Sequence, residues 1–550
     1  MKKYRFIYCM IAVCCFPLLT ACNGFLRESP RDGIDDADAH RTLRDIYLNS
    51  VASLYNYIGG FADSQGLQGT GRGVYDLNTF TTDEAIMPTR GGDWYDGGFW
   101  QGLYLHEWGV NNDAIQATWE YLYKVVMLSN KSVEQIREFQ ETHNDSELAA
   151  YLAEVRAVRA MYYYYLMDLF GRIPLVLTSS ASVSDIVQSE RKDIFDFVVR
   201  ELQESAPLLS EKRSNQSGDY YGRITRSVAY FLLAKLVLNA EVYTDNDWTD
   251  GIYPDGRNIY FTVDGRQLNA WQTVVAYCER ITASGYELET NYETNFAVFN
   301  ESSVENIFTI PMNKTLYTNQ MQYLFRSRHY NHAKAYGLSG ENGSCATVDA
   351  LRVFGYETPE IDPRFYKCYF AGVMYDLKGN LIRLDDGTVL EYHPWEVGVD
   401  ISDTPYEQTA GARMKKYAID TEATKDGKLI ENDIVLFRYA DVLLMESEAK
   451  VRNGENGDGE LMQVRRRAGA IARPATLENL LDERLLEFAW EGWRRQDLVR
   501  YRMFTRAYSN RPQLPDEENG FTTVFPIPGN VLKMNKRLRQ NKGYGIVNEN

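Results

Sequence analysis

The acidic residues with the spacing for chemistry are Glu487 and Glu491, in the run LLDERLLEFAWEGWRRQDLVR. Four residues apart, they would share one face of a helix, and two carboxylates about 5 Å apart can divide the work of acid and nucleophile in glycoside hydrolysis. Arg494 and Arg495 follow Glu491 at the third and fourth positions, so ion pairing that merely positions the helix is the simpler expectation. Other chemistry is sparse. No G-x-S-x-G, H-E-x-x-H, C-x-x-C or Walker-type phosphate loop occurs. Gly69-Thr70-Gly71-Arg72-Gly73 lacks the flanking strand and helix of a dinucleotide fingerprint and reads as a loop. His329 and His332 have no nearby Cys or third His, so they read as surface histidines with no metal to hold. Asp245, Asp247 and Asp250 precede Gly251 and offer oxygens to a calcium ion. Their spacing departs from the twelve-residue calcium loop and lacks its terminal Glu, so calcium stays open beside an ordinary acidic turn. The expectation is a chain with no catalytic residues and no cofactor.

Charge and termini narrow the classes further. A net charge of −17 excludes the basic stripes that nucleic-acid binding needs, so no nucleic acid is expected as a partner. Lys2, Lys3 and Arg5 open the chain, and an apolar run from Phe6 to Leu19 ends at Leu19-Thr20-Ala21-Cys22. That pattern is a bacterial lipoprotein leader over 1–21, with Cys22 as the acylated first residue of the mature chain. Loss of three basic residues with the leader deepens the charge to −20, which leaves acyl chains rather than basic patches as the membrane contact. Residues 22–36 are polar and acidic and read as a tether. The three remaining cysteines, Cys278, Cys345 and Cys368, give neither a metal spacing nor a disulfide framework and read as small buried hydrophobes.

A mainly α fold must position whatever the chain binds. Apolar residues at helical spacing mark 37–57, 113–139, 146–170, 191–209, 225–243, 269–284, 433–452 and 477–503. Thr225 stands where a cap belongs, and Gly171 and Gly454 where helices stop. The scaffold is thus 37–63, 107–244 and 431–550. Between these lie 64–106 and 245–430, rich in Gly, Asn, Asp and Tyr with short β-type runs such as Asn306–Ile310. Loops carried on a rigid scaffold are where binding residues concentrate. With 39 Tyr and 9 Trp, the chain is rich in rings whose flat apolar face and polar edge suit interfaces and sugar rings, and core packing and protein contacts are expected to use most of them.

Five segments carry a family resemblance: AEVRAVRAMYYYYLMDLFGRIPLV (153–176), GRITRSVAYFLLAKLVLNAEVY (222–243), RYADVLLMESEAKVRNG (438–454), ERLLEFAWEGWRRQDLVRY (483–501) and FPIPGNVLKMNKRLRQNKGY (525–544). In this order they resemble the SusD/RagB-like proteins. The resemblance implies a single domain over 37–550, built on four tetratricopeptide-like helix pairs with a loop-rich ligand face. It implies an outer-membrane lipoprotein of Bacteroidetes type, exposed at the cell surface. It also implies glycan binding without cleavage and a TonB-dependent SusC-like transporter as partner; a surface adhesin or a peptide-binding, RagB-like subunit is the alternative. The matching ligand loop is TTDEAIMPTRGGDWYDGGFW (81–100), where Trp94, Tyr95 and Trp100 offer rings for stacking and Arg90, Asp93 and Asp96 can bond hydroxyl pairs. Trp100 also reads as a core anchor. A second contribution is expected from Tyr317, Tyr323, Tyr330 and Tyr336. Asn342-Gly343 is followed by Ser344, where some glycan-binding relatives carry an aromatic, so their sugar preference does not transfer.

Overall fold

The computed structural model describes residues 42–60, 65–68, 71–316, 320–321 and 323–545. Cys22, the leader and tether, Gly69, Thr70 and Tyr317 lie outside the described residues. Helices dominate, and among the described residues strands occur only as two-stranded pairs.

The scaffold is a succession of helices, each packed on the next: α1 (Asp113–Thr142), α2 (Glu147–Phe170), α3 (Arg191–Ser205), α4 (Arg226–Leu238), α5 (Ala270–Ala283) and α6 (Tyr439–Arg452). Then α7 (Asp458–Ala468) and α8 (Leu477–Phe488) both pack on α6, and α9 (Arg494–Arg500) on α8. Local chemistry sets the ends. The Asn112 side chain accepts from the N–H groups of Ala114 and Ile115, and Asn269 and Gln272 cap α5 reciprocally. In α2, the consecutive Tyr162, Tyr163, Tyr164 and Tyr165 point in every direction and are all buried, so this helix has neighbours all round. Each such side chain contributes about 1.5–3 kcal/mol by leaving water. Gly171 ends α2 at φ +67, and a Cβ there would lie 2.7 Å from the Trp248 ring.

Three helix expectations are corrected. Thr225 precedes α4, but its hydroxyl makes no capping bond, and the helix stops at Asn239, whose side chain donates back to the Lys235 carbonyl. The stretch from Asp433 begins as a strand. β4 (Ile434–Arg438) pairs antiparallel with β2 (Asn306–Ile310), Ile434 opposite Ile310, and only then does α6 start. Both strands are buried along their whole length, so neither shows the alternation that separates strand from helix in a sequence. The third correction is that residues 477–503 are two helices, broken by Trp490 at φ +67 and Gly492 at φ +75. Cys278, Cys345 and Cys368 are free and buried, and no helix among the described residues is long and apolar enough to cross a membrane.

Candidate ligand-binding site

The 81–100 loop stands on a buried polar pedestal. Asp83 takes Nε and Nη2 of Arg494 at 2.6 and 2.9 Å, and Asp76 pairs with buried Arg326. The short strand β1 (Ala85–Ile86) pairs with β3 (Cys345–Ala346), which brings the 329–345 segment alongside. Beyond β1 the chain reverses through a tight turn in which Arg90 and Asp93 exchange backbone hydrogen bonds of 2.9 and 3.0 Å.

Arg90 points inward, against its expected role on ligand hydroxyls. Its Nε, Nη1 and Nη2 donate to the carbonyls of Gly343, Glu407 and Ala410 at 3.1, 2.9 and 3.0 Å. Burial lowers its pKa to about 9. A guanidinium fork can satisfy three carbonyls at once, so one side chain ties three loops together.

Trp94 is the feature that marks this surface. Its φ is +64, a left-handed conformation that costs a bulky residue roughly 1–2 kcal/mol. The half-buried indole lies over Gly343, where a Cβ would come within 2.8 Å of the ring, and its Nε1 donates to the Glu341 carbonyl at 2.9 Å. Backbone strain held by surrounding contacts is characteristic of binding sites. Beside Trp94, exposed Asp93 accepts from the Tyr330 hydroxyl at 2.9 Å, and Tyr95 is 59% exposed. Asp93, Trp94 and Tyr330 are therefore brought together, with Tyr95 next in the chain.

The remaining expected residues serve as support. Trp100 is buried edge-on to Trp94, with the Arg326 guanidinium 4.9 Å from its ring, and its indole donates to Asp96 at 2.9 Å. Asp96 also pairs with Arg72 at 2.9 Å. Tyr323, expected at the ligand, is buried and stacked on Tyr75 at 4.1 Å. Tyr336 is half-buried and donates to the Tyr375 carbonyl. Glu341 and Gln408 were not singled out in the sequence, and Asn342 entered only as half of the Asn-Gly pair. Exposed Gln408 accepts from Asn342 and meets His329 Nε2, both at 3.2 Å, at the edge of the same surface. The Asn-Gly pair was the available signal, since Asn342 at φ +49 makes the turn that carries Glu341 beneath the indole. His329 and His332 are interior, not surface, residues. Burial lowers their pKa values to about 4 and about 3, and His332 Nδ1 meets the Tyr392 hydroxyl at 3.0 Å.

The candidate catalytic acids are locked away. Because the helix breaks after Phe488, Glu491 does not share a helical face with Glu487, and Arg494 and Arg495 turn instead to Asp83 and Asp168. Glu487 meets Arg364 at 2.8 Å, Arg438 and Arg467, and these guanidinium groups hold its carboxyl well below the usual range against the opposing effect of burial. Glu491 pairs with Arg438 at 2.8 Å and with Lys416. Glu305 completes the cluster by meeting Arg438 and Arg467 at 2.8 and 2.7 Å. Of the acidic triplet, Asp245 and Asp250 accept turn N–H groups and Asp247 pairs with Lys542; no metal-holding group of three is found among the described residues.

Two family models match the chain in order. Residues 47–238 match the model described as "starch-binding associating with outer membrane", and residues 304–544 match the SusD family model. The chain belongs to the SusD/RagB family. This SusD-like chain is 25% identical to the starch-binding protein SusD of Bacteroides thetaiotaomicron, over 87% of each chain. It superposes on a laminarin-binding SusD-like protein with a TM-score of 0.66 at 21% identity, covering 91% of this chain and 99% of that one. Surface glycan-binding protein A of Bacteroides thetaiotaomicron, solved with laminarihexaose, matches at a TM-score of 0.68 and 19% identity, covering 90% and 99%. These relatives are named as binding proteins, and the family is one associated with the outer membrane.

Proposed function

We propose that this SusD-like protein binds an oligosaccharide at the cell surface and passes it, uncleaved, to a TonB-dependent SusC-like transporter. The observation that carries this reading is Trp94: an indole held in a strained backbone conformation over Gly343, beside the Asp93–Tyr330 pair. A sugar ring stacks on such an aromatic surface, and a carboxylate beside it accepts from vicinal hydroxyls. Starch binding by one relative and the laminarihexaose complex of another support a glycan as the ligand class. The non-catalytic reading rests on Glu487 and Glu491, whose oxygens are taken up by arginine and lysine. In this account residues 1–21 are a leader, Cys22 carries the lipid, and 37–550 form one domain. The purified protein, applied to a glycan array beside a peptide library, should retain glycans and leave no reducing sugar; retention of peptides alone would replace this reading with that of a peptide-binding subunit. Co-purification of a SusC-like transporter from outer membranes with the tagged protein tests the partner, and its absence from the eluate would count against it.

A further inference from the structure

A set of unspent donors lies in a different part of the molecule and shares no residue with the Trp94 surface. Arg191, the first residue of α3, is 1% exposed, and among the described residues none of its three guanidinium nitrogens has a hydrogen-bond acceptor. Its neighbours are ring faces, with its guanidinium carbon 5.1 Å from the Tyr243 centroid and 5.4 Å from that of Trp248. Trp248 is itself 7% exposed, and its indole N–H also lacks an acceptor among the described residues. Both side chains line one cavity of about 100 Å³, with Asp245, Arg502, Thr505 and Thr523 among its walls.

A buried cation is retained where something compensates it, and aromatic faces stabilise the charge without accepting its N–H groups. Three acids line this cavity, Glu241, Asp245 and exposed Glu518, and none of them hydrogen-bonds the Arg191 guanidinium. Asp245 uses Oδ1 for the N–H of Asp247, and burial pushes its carboxyl up, while Glu241 accepts from the Gly256 N–H and faces Arg452 at 3.6 Å. What is missing is an acceptor with at least two oxygens, small enough for a space that would take several waters. A guanidinium fork matches a carboxylate or phosphate edge in two parallel bonds, and the indole N–H adds a third donor. Arg502, exposed and stacked on Tyr253 at 3.7 Å, adds positive charge to the wall. We propose that this cavity is a binding site for a small oxyanion, a carboxylate or an inorganic phosphate or sulfate, held by Arg191 and the Trp248 indole.

The test is calorimetric titration of the full chain in detergent with acetate, phosphate and sulfate, against chloride at matched ionic strength. The site predicts saturable binding of at least one oxyanion, and which one binds separates a carboxylate ligand from a phosphate or sulfate. Trp248→Phe, which keeps a ring and removes the donor, should weaken that binding by about threefold to tenfold. Arg191→Met should abolish it. Should Arg191→Met fail to fold, Trp248→Phe decides in its place. No oxyanion response beyond chloride, or wild-type affinity in the deciding variant, would overturn the proposal and leave the cavity to water.

Discussion

Removing the Trp94 ring should damage binding and stability in proportions that the structure sets. In Trp94→Ala the backbone stays at φ +64, so the strain remains while the contacts go. Lost are the edge-on contact with Trp100 and the hydrogen bond to the Glu341 carbonyl, each worth about 1 kcal/mol. A stability loss of about 2 kcal/mol follows. Because unfolding entropy grows with chain length, that moves the midpoint of so long a chain by only about 2 °C. Binding should suffer more visibly, since an aromatic anchor commonly carries about 2 kcal/mol, or roughly thirtyfold in affinity. Gly343→Ala provides an independent route to the same end: its new Cβ would lie 2.8 Å from the indole and 2.7 Å from Met87 Sδ, so the ring must shift although it is still present. Calorimetry with the glycan found by an array, run beside thermal unfolding, reads both effects. Unchanged affinity in Trp94→Ala with a lowered midpoint would refute the reasoning, since the ring would then be scaffold only.

Glu487→Gln should cost about 3–5 kcal/mol in urea unfolding, because it leaves Arg364, Arg438 and Arg467 short of a buried counter-charge; unaltered stability would contradict the network, and loss of a sugar-releasing activity would contradict the non-catalytic reading. Asp433 has its pKa raised to about 7 by burial, so its charged form penalises folding increasingly as pH rises from the ordinary carboxylate range through 7. Asp433→Asn, which keeps the acceptor for the Met312 N–H, should therefore raise the melting temperature at pH 8 and give no gain at pH 4. Asp441 and Glu487 have lowered pKa values, so their stabilisation is fully present above the unfolded carboxylate range and is lost as pH falls through the folded values, about 2 for Asp441. Cys22→Ser should release the protein from the outer membrane or block its maturation, read by fractionation and palmitate labelling; unchanged membrane association and labelling would remove the lipid anchor from the account.

Legibility in the sequence followed the range of the interaction. Stops such as Gly171 and Gly454 act within a few residues, and helix ends fall there, whereas the cap read at Thr225 does not form. The β2–β4 pair joins segments over a hundred residues apart and is buried on both faces, so nothing local distinguished Ile434–Arg438 from a helix start. At the candidate site, the 81–100 loop was named from the family resemblance, and the folded chain brings Asp93, Trp94 and Tyr330 of that reading close together. Which side chains turn inward was not legible. Arg90 and Tyr323 look like surface binders by type, yet one bonds three carbonyls from other loops and the other stacks on Tyr75, partners that only the folded chain supplies.

The most direct measurement is a crystal structure of the protein with the oligosaccharide that an array identifies. The account predicts a sugar ring stacked on Trp94 within about 4 Å, with hydroxyls on Asp93 and Tyr330. An oligosaccharide bound elsewhere, for example in the apolar groove between Tyr123 and Met534, with the Trp94 surface bare, would contradict it.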